Sequence, residues 1–199
     1  MTPHDTSVAR RSGSKDSRPT VVVLGVGQMG LVCAGLLASE PRPDEGTPPA
    51  GPVKSISRPC RVVMWAHSRE DAGTLAQSRT SARLPGFVLS DAVHLALNDA
   101  DAMRDAALIV SAIPVQYIRD TWNRLAPHVA PRVPVLSVAK GIENRTLLRP
   151  TQVIAEVLRD AGRDDPDGPS RSIGCLSGPT IAAELARCMP AAMIAASDD

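Results

Sequence analysis

Residues 20–30 read TVVVLGVGQMG, an unbroken apolar run that ends in glycines spaced as GxGxxG. A short Val-rich run of this kind suits a strand buried on both faces of a parallel sheet. The glycines then stand where a strand hands over to a helix. Gly25 permits the tight turn, Gly27 leaves room for a pyrophosphate beside the backbone, and Gly30 lets the helix lie close to the strand. The first turn of that helix offers unpaired N–H groups and the positive end of its dipole. In this setting the motif predicts dinucleotide binding; alone, it is equally a strand–helix turn with no ligand.

Outward from this turn the same rhythm continues. Further apolar runs are RVVMWA (61–66), ALIVSAIP (107–114), VPVLSVA (133–139), IGCLSG (173–178) and AAMIAAS (191–197). Helix-like segments separate them at 28–39, 69–79, 115–125, 149–163 and 180–188. The alternation predicts an α/β fold, Rossmann-like and doubly wound, with a mainly parallel sheet and helices on both faces. Residues 20–199 form the expected NAD(P)-binding domain. Residues 1–19 are polar without an apolar centre, which predicts a disordered leader rather than a secretory signal. The Pro-, Gly- and Ser-rich stretch 41–59 predicts an exposed loop inserted between the first helix and the second strand.

Composition excludes several classes of partner. A formal net charge of +1 gives no field to attract nucleic acid or an anionic membrane, and no apolar run reaches the length of a membrane span. The aromatic residues are Trp65, Phe87, Tyr117 and Trp122, too few rings for base stacking. Cys33, Cys60, Cys175 and Cys188 are widely spaced and form no CxxC pair. That pattern predicts no metal site and no disulfide framework, and it fits a reducing cytoplasm.

Cofactor choice is read after the second strand. NAD-selective sites usually carry an acid there, on the ribose 2′-OH. Here the run ends in His67, Ser68 and Arg69, donors suited to a 2′-phosphate, with Glu70 placed as an ordinary first-turn helix acid. The expectation is NADP, or NADP and NAD alike; Arg69 is equally a solvated arginine. Lys140 is one of three lysines, with Lys15 and Lys54, among 22 basic residues, and it stands where the run 133–139 ends. Composition makes it a surface charge, whereas a place at a strand's carboxyl end makes it a site residue. Ser177 and Thr180 are suited to capping the helix that follows them, and equally to binding an anion. His4, His94 and His128 join no constellation and read as surface residues.

GVGQMG, MWAHSRE, LPGFVLSDAVHLA, AIPVQYIRD, AKGIEN and SGPTIAAELA occur in this order. With them, residues 20–197 resemble the cofactor-binding half of the NAD(P)-dependent glycerol-3-phosphate dehydrogenases. The glycine fingerprint is shared by many dehydrogenases; LPG, KGIE and SGPTxAxELA at these separations are far more specific. The resemblance implies interconversion of dihydroxyacetone phosphate and sn-glycerol 3-phosphate, for phospholipid synthesis in the cytoplasm. It implies cofactor contacts at Gly25, Gly27, Gln28, Met29, Gly30, His67, Lys140 and Ala182, and substrate contacts at Lys140, Gly178 and Thr180. Met29 replaces the aromatic residue usual in the family. Pro114 and Gln116 are expected over the nicotinamide side. The proton-transfer lysine of the family belongs to a second, helical domain that follows this half, so the chain reads as an N-terminal part, nearly inactive alone. A non-catalytic NAD(P)-binding module, or one half of a split enzyme completed by a complementing helical domain, is the alternative, and a homodimer is a further possible assembly.

Overall fold

The computed structural model describes residues 17–39, 60–164 and 171–197. Most of the expected leader, the expected loop 41–59 and His4 lie outside the described residues.

The GxGxxG stretch folds as read. Strand β1 (Thr20–Leu24) is wholly buried and runs into helix α1 (Gln28–Ala38). Strand β2 (Arg61–Trp65) and helix α2 (Arg69–Ser78) follow, then strand β3 (Val93–Leu95) and the short helix α3 (Asp99–Met103). The second half comprises β4 (Ala106–Ser111), α4 (Val115–Leu125), β5 (Val135–Ser137), α5 (Pro150–Asp160), β6 (Ile173–Ser177), α6 (Ala182–Ala186) and β7 (Ile194–Ser197). The strands form one sheet in the order β3-β2-β1-β4-β5-β6-β7. Pairing is parallel from β3 to β6, and β7 joins β6 antiparallel.

Alternate residues of β1 feed two separate cores. Val22 and Leu24 face α3, α4 and α5, where Ile118, Trp122, Leu125 and Ile154 are fully buried. Val21 and Val23 face α1, α2 and α6, against Leu31, Val32, Leu75 and Ala182. Helix α4 illustrates the local cause. Ile118, Thr121, Trp122 and Leu125 recur at helical spacing and form its buried stripe. Each of the large apolar members contributes roughly 1.5–3 kcal/mol by leaving water. The Trp122 indole N–H is satisfied by Ser111 Oγ at 3.2 Å, so the ring is buried without an orphan donor.

Two corrections concern the sheet. The run 191–197 reads as a strand buried on both faces, yet β7 is an exposed, antiparallel edge strand of four residues. An alanine-rich run carries little apolar area, so its apolarity does not require cover. The sequence rhythm also passes over β3 and α3, because VHL and DADAM are interrupted by polar residues and lie outside any continuous apolar run.

Candidate functional site

Sheet order reverses between β1 and β4, and ligands of open α/β sheets gather beyond the carboxyl ends of the strands at such a point. A cleft of about 930 Å³ lies there. It is lined from one strand end after another: 25–29 after β1, His67 after β2, 112–114 after β4, 138–140 after β5, and 180–182 after β6. Tyr117, Asp120 and Thr121 of α4 also line it, as do Asp71 of α2 and Arg83, whose side chains approach to 3.5 Å.

The glycine turn shows why each glycine is needed. Gly25 has φ +104°, in the left-handed region where a side chain is strained. A Cβ on Gly30 would lie 2.0 Å from the Gly25 carbonyl oxygen, so helix and turn touch backbone to backbone. A Cβ on Gly27 meets no atom within 4 Å, which leaves open space beside that backbone. Gly27 is the N-cap of α1; no side chain caps this end, and the first turn carries no acid. The uncapped N–H groups and the helix dipole therefore remain available to an anion. These features fit a dinucleotide pyrophosphate.

Lys140 bridges two loops. Its Nζ donates to the carbonyl oxygens of Gly178 at 2.9 Å and Thr180 at 3.2 Å. The glycine that follows it, Gly141, has φ +97°, and this turns the chain away just beyond the cleft. Helix α4 then holds the outgoing loop. Gln116 Nε2 donates to the Ile142 carbonyl at 2.9 Å, and the Asn144 N–H donates to Gln116 Oε1 at 3.1 Å. Arg119 grips Glu143 with two bonds of 2.9 Å and reaches Glu156 of α5 at 2.9 Å. The Arg119 hydrogen bonds hold the buried Glu143 carboxyl below its usual range, aided by the Thr146 hydroxyl and opposed by burial.

Thr180 is buried, lines the cleft, and its Oγ1 has no hydrogen-bond partner. An unpaired buried hydroxyl is uncommon, and one that lines a cleft is placed to take a ligand or water as its partner. It does not cap α6, whose N-cap is Ile181 with no side-chain cap; Ser177 ends β6 and does not cap it either. The capping reading of both residues is thereby set aside.

Of the residues expected from sequence, Gly25, Gly27, Gln28, Met29, His67, Lys140, Thr180 and Ala182 meet at the cleft. Gly30 and Gly178 stand behind it. Gly178 supplies a carbonyl to Lys140, and a Cβ there would lie 2.4 Å from the Ala192 carbonyl oxygen. Pro114 lines the cleft, whereas the Gln116 side chain is turned to the loop 142–144 rather than into the cavity. Ser68 and Arg69 face a smaller pocket with Trp65, Asp99 and Arg124, and Ser68 Oγ is engaged in capping α2. His94 and His128 are exposed.

That smaller pocket is braced. Arg124 chelates Asp99 at 2.6 and 2.7 Å, donates to the His67 carbonyl at 3.0 Å and lies over the Trp65 ring. Hydrogen bonds from Arg124 first, and from Trp65, keep the Asp99 carboxyl below its usual range against the opposing effect of burial. Sequence reasoning missed Arg83, Asp71, Asp120 and the Arg119–Glu143 clamp. AIPVQYIRD and AKGIEN contain Arg119, Asp120 and Glu143 without showing what those side chains meet, and no quoted motif contains Asp71 or Arg83. Among the described residues no group of three or more His, Cys, Asp or Glu side chains is placed to hold a metal, and no helix is long and apolar enough to cross a membrane.

A family model described as NAD-dependent glycerol-3-phosphate dehydrogenase N-terminus matches residues 20–199. The chain belongs to this family. It is 35% identical over 184 residues to a glycerol-3-phosphate dehydrogenase (NAD(P)+) of Mycobacterium leprae, covering 92% of this chain and 46% of that protein. A relative of the same name from Mycobacterium tuberculosis is 32% identical over 181 residues, covering 90% and 46%. This member of the family thus spans about half the length of the curated relatives it matches. Among solved structures, a glycerol-3-phosphate dehydrogenase from Plasmodium falciparum superposes with a TM-score of 0.72 at 16% identity, over 92% of this chain and 47% of that one. The enzyme from Coxiella burnetii gives 0.70 at 17% identity, over 92% and 47%. At these identities the likeness shows the fold, a Rossmann-like, mostly parallel sheet.

Proposed function

We propose that this chain is the cofactor-binding part of an NAD(P)-dependent glycerol-3-phosphate dehydrogenase, which interconverts sn-glycerol 3-phosphate and dihydroxyacetone phosphate in the cytoplasm for phospholipid synthesis. The observation that carries the reading is the meeting of the glycine turn, Lys140 and the unpaired Thr180 hydroxyl in one cleft at the carboxyl ends of the strands. The names of the curated relatives support NADP or NAD as the cofactor.

When bound, the dinucleotide would supply hydride to the ketone carbon of dihydroxyacetone phosphate, or accept it from the carbinol carbon of sn-glycerol 3-phosphate. The protein's own part is to bind and orient. Gly25, Gly27 and the N-terminus of α1 receive the pyrophosphate, with Gln28 and Met29 beside it and Gly30 bringing the helix close. His67 meets the adenosine ribose, and Ala182 contacts the cofactor from the far loop. The Lys140 ammonium, steadied by the Gly178 and Thr180 carbonyls, presents positive charge toward the substrate oxygen or phosphate. The Thr180 hydroxyl donates to the same substrate. With Lys140 committed to two carbonyls, it acts as an orienting cation, and proton transfer is assigned to a lysine of a helical domain that pairs with this one. That domain, in the same polypeptide, a complementing chain or a homodimer, also shields the reaction from water.

Titrating the 199-residue chain with NADPH and NADH, followed by nicotinamide fluorescence, tests the reading. Saturable binding of at least one supports it; binding of neither overturns it.

A further inference from the structure

We propose that Arg83 reads the 2′-phosphate of NADPH at the edge of the cleft and that Asp71 opposes it, so that this pair sets the chain's preference between the two nicotinamide dinucleotides. The inference rests on the dinucleotide reading above and concerns residues that no motif marks.

The adenosine ribose of a doubly wound dinucleotide site lies beyond the carboxyl end of the second strand. In this chain His67 follows that strand and lines the cleft, as do Asp71, four residues on in the first turn of α2, and Arg83, which reaches Asp71. Arg69, nearer in sequence, does not line the cleft; it lines the smaller pocket beside Arg124 and Asp99, which His67 borders as well. Glu70 lines neither space, so the acid of α2 that meets the cleft is Asp71; the other acid lining it, Asp120, belongs to α4.

The backbone under both groups is anchored. Asp71 sits in the first turn of α2, where its N–H donates to Ser68 Oγ at 3.0 Å. Gln28, at the start of α1, donates its Nε2 to the Arg83 carbonyl at 2.7 Å, and Leu84 beside it is buried. The glycine turn and the segment carrying Arg83 are thus tied together. The head groups are held far more loosely. Arg83 Nη2 and Asp71 Oδ2 are 3.5 Å apart, and both side chains are about half exposed. A tight charge-assisted bond would measure about 2.7–2.9 Å.

Such a pair can serve two ligands. A 2′-phosphate offers a planar guanidinium two oxygens and more charge than one carboxylate, so Arg83 turns from Asp71 to the phosphate. A 2′-hydroxyl needs an acceptor for its proton, which Asp71 provides while Arg83 stays paired with it. Asp71 also repels the phosphate. The two residues therefore pull the selectivity in opposite directions.

The test uses the full 199-residue chain and both reduced dinucleotides. Arg83→Gln is expected to weaken NADPH binding roughly tenfold more than NADH binding, the scale of one hydrogen bond to a charged group. Asp71→Asn is expected to move the NADPH-to-NADH affinity ratio the other way, by roughly threefold, as for a half-exposed ion pair. Opposed shifts distinguish selectivity from a general loss of folding. Arg69→Gln serves as the comparison and should keep the ratio within about twofold, on the same scale for exposed charges. If Arg83→Gln and Asp71→Asn shift both nucleotides alike, or if Arg69→Gln carries the change, the proposal is overturned and the dinucleotide reading stands. If the unaltered chain binds neither nucleotide, the dinucleotide reading fails and the proposal falls with it.

Discussion

Lys140 donates to the carbonyl oxygen of Gly178 at 2.9 Å, joining loops 38 residues apart at the ends of β5 and β6. The bond explains why a lysine with a flexible stem occupies a strand end in so arginine-rich a chain. A compact ammonium can serve two carbonyls and still face the cleft, where a planar guanidinium would need more room.

Replacing this cation should therefore loosen the site more than the fold. Lys140→Met is expected to weaken NADPH binding by roughly 1.5–3 kcal/mol, the cost of losing hydrogen bonds to a charged group. In any enzyme reconstituted with the helical half, dihydroxyacetone phosphate reduction should be lost. Unchanged turnover would remove Lys140 from the site.

The glycines of the turn should separate binding from folding. Gly30→Ala forces a Cβ to 2.0 Å from the Gly25 carbonyl oxygen, so thermal unfolding should show a loss of roughly 1–3 kcal/mol, typical of overpacking. Gly27→Ala meets open space and should unfold like the parent while binding dinucleotide poorly. Equal losses of stability in the two variants would contradict this division.

Glu143 gives the fold a pH dependence with a defined sign. Its carboxyl is held below the usual range by Arg119 and Thr146, so it adds stability above the ordinary carboxylate range. That stability is lost as pH falls through the depressed folded-state value. Glu143→Gln should cost about 1–3 kcal/mol at neutral pH, for a broken buried hydrogen-bonded charge, and should flatten the acid limb. Urea unfolding between neutral and acid pH measures both; an acid limb as steep as the parent's would exclude Glu143 as its source.

Thr180 offers the opposite trade. Thr180→Val keeps the shape and removes the unpaired buried hydroxyl, so the ligand-free chain should gain up to about 1 kcal/mol in stability. Substrate binding in a reconstituted enzyme should weaken at the same time. A clear loss of stability in the free chain would mean that the hydroxyl already has a partner.

Much of this was legible in the residues. GVGQMG carries its own structural context, because each glycine answers a steric demand that neighbouring strand and helix patterns reveal. The parallel core followed from runs such as TVVVL, whose side chains feed both faces of the sheet. The edge strand β7 misled, since an alanine-rich apolar run has the same pattern whether covered or bare. Ser68 and Arg69 show a different limit of the sequence. Adjacency to a strand end does not say which of two neighbouring pockets a side chain enters. Arg83 and Asp71, twelve residues apart, come within 3.5 Å of each other through packing that no motif announces.

The parallel ladder has a consequence for how the site tolerates change. Val135, Leu136 and Ser137 of β5 pair with Ile109, Val110 and Ser111 of β4, and Lys140 follows three residues on. A strand advances about 3.3 Å per residue, and a slip of one residue also turns every side chain to the other face. A lost or added residue in that short span would carry the ammonium out of reach of both carbonyls while every motif stayed intact. The sheet thus works as a measuring rule for the cleft, and chain length ahead of Lys140 matters as much as the lysine itself.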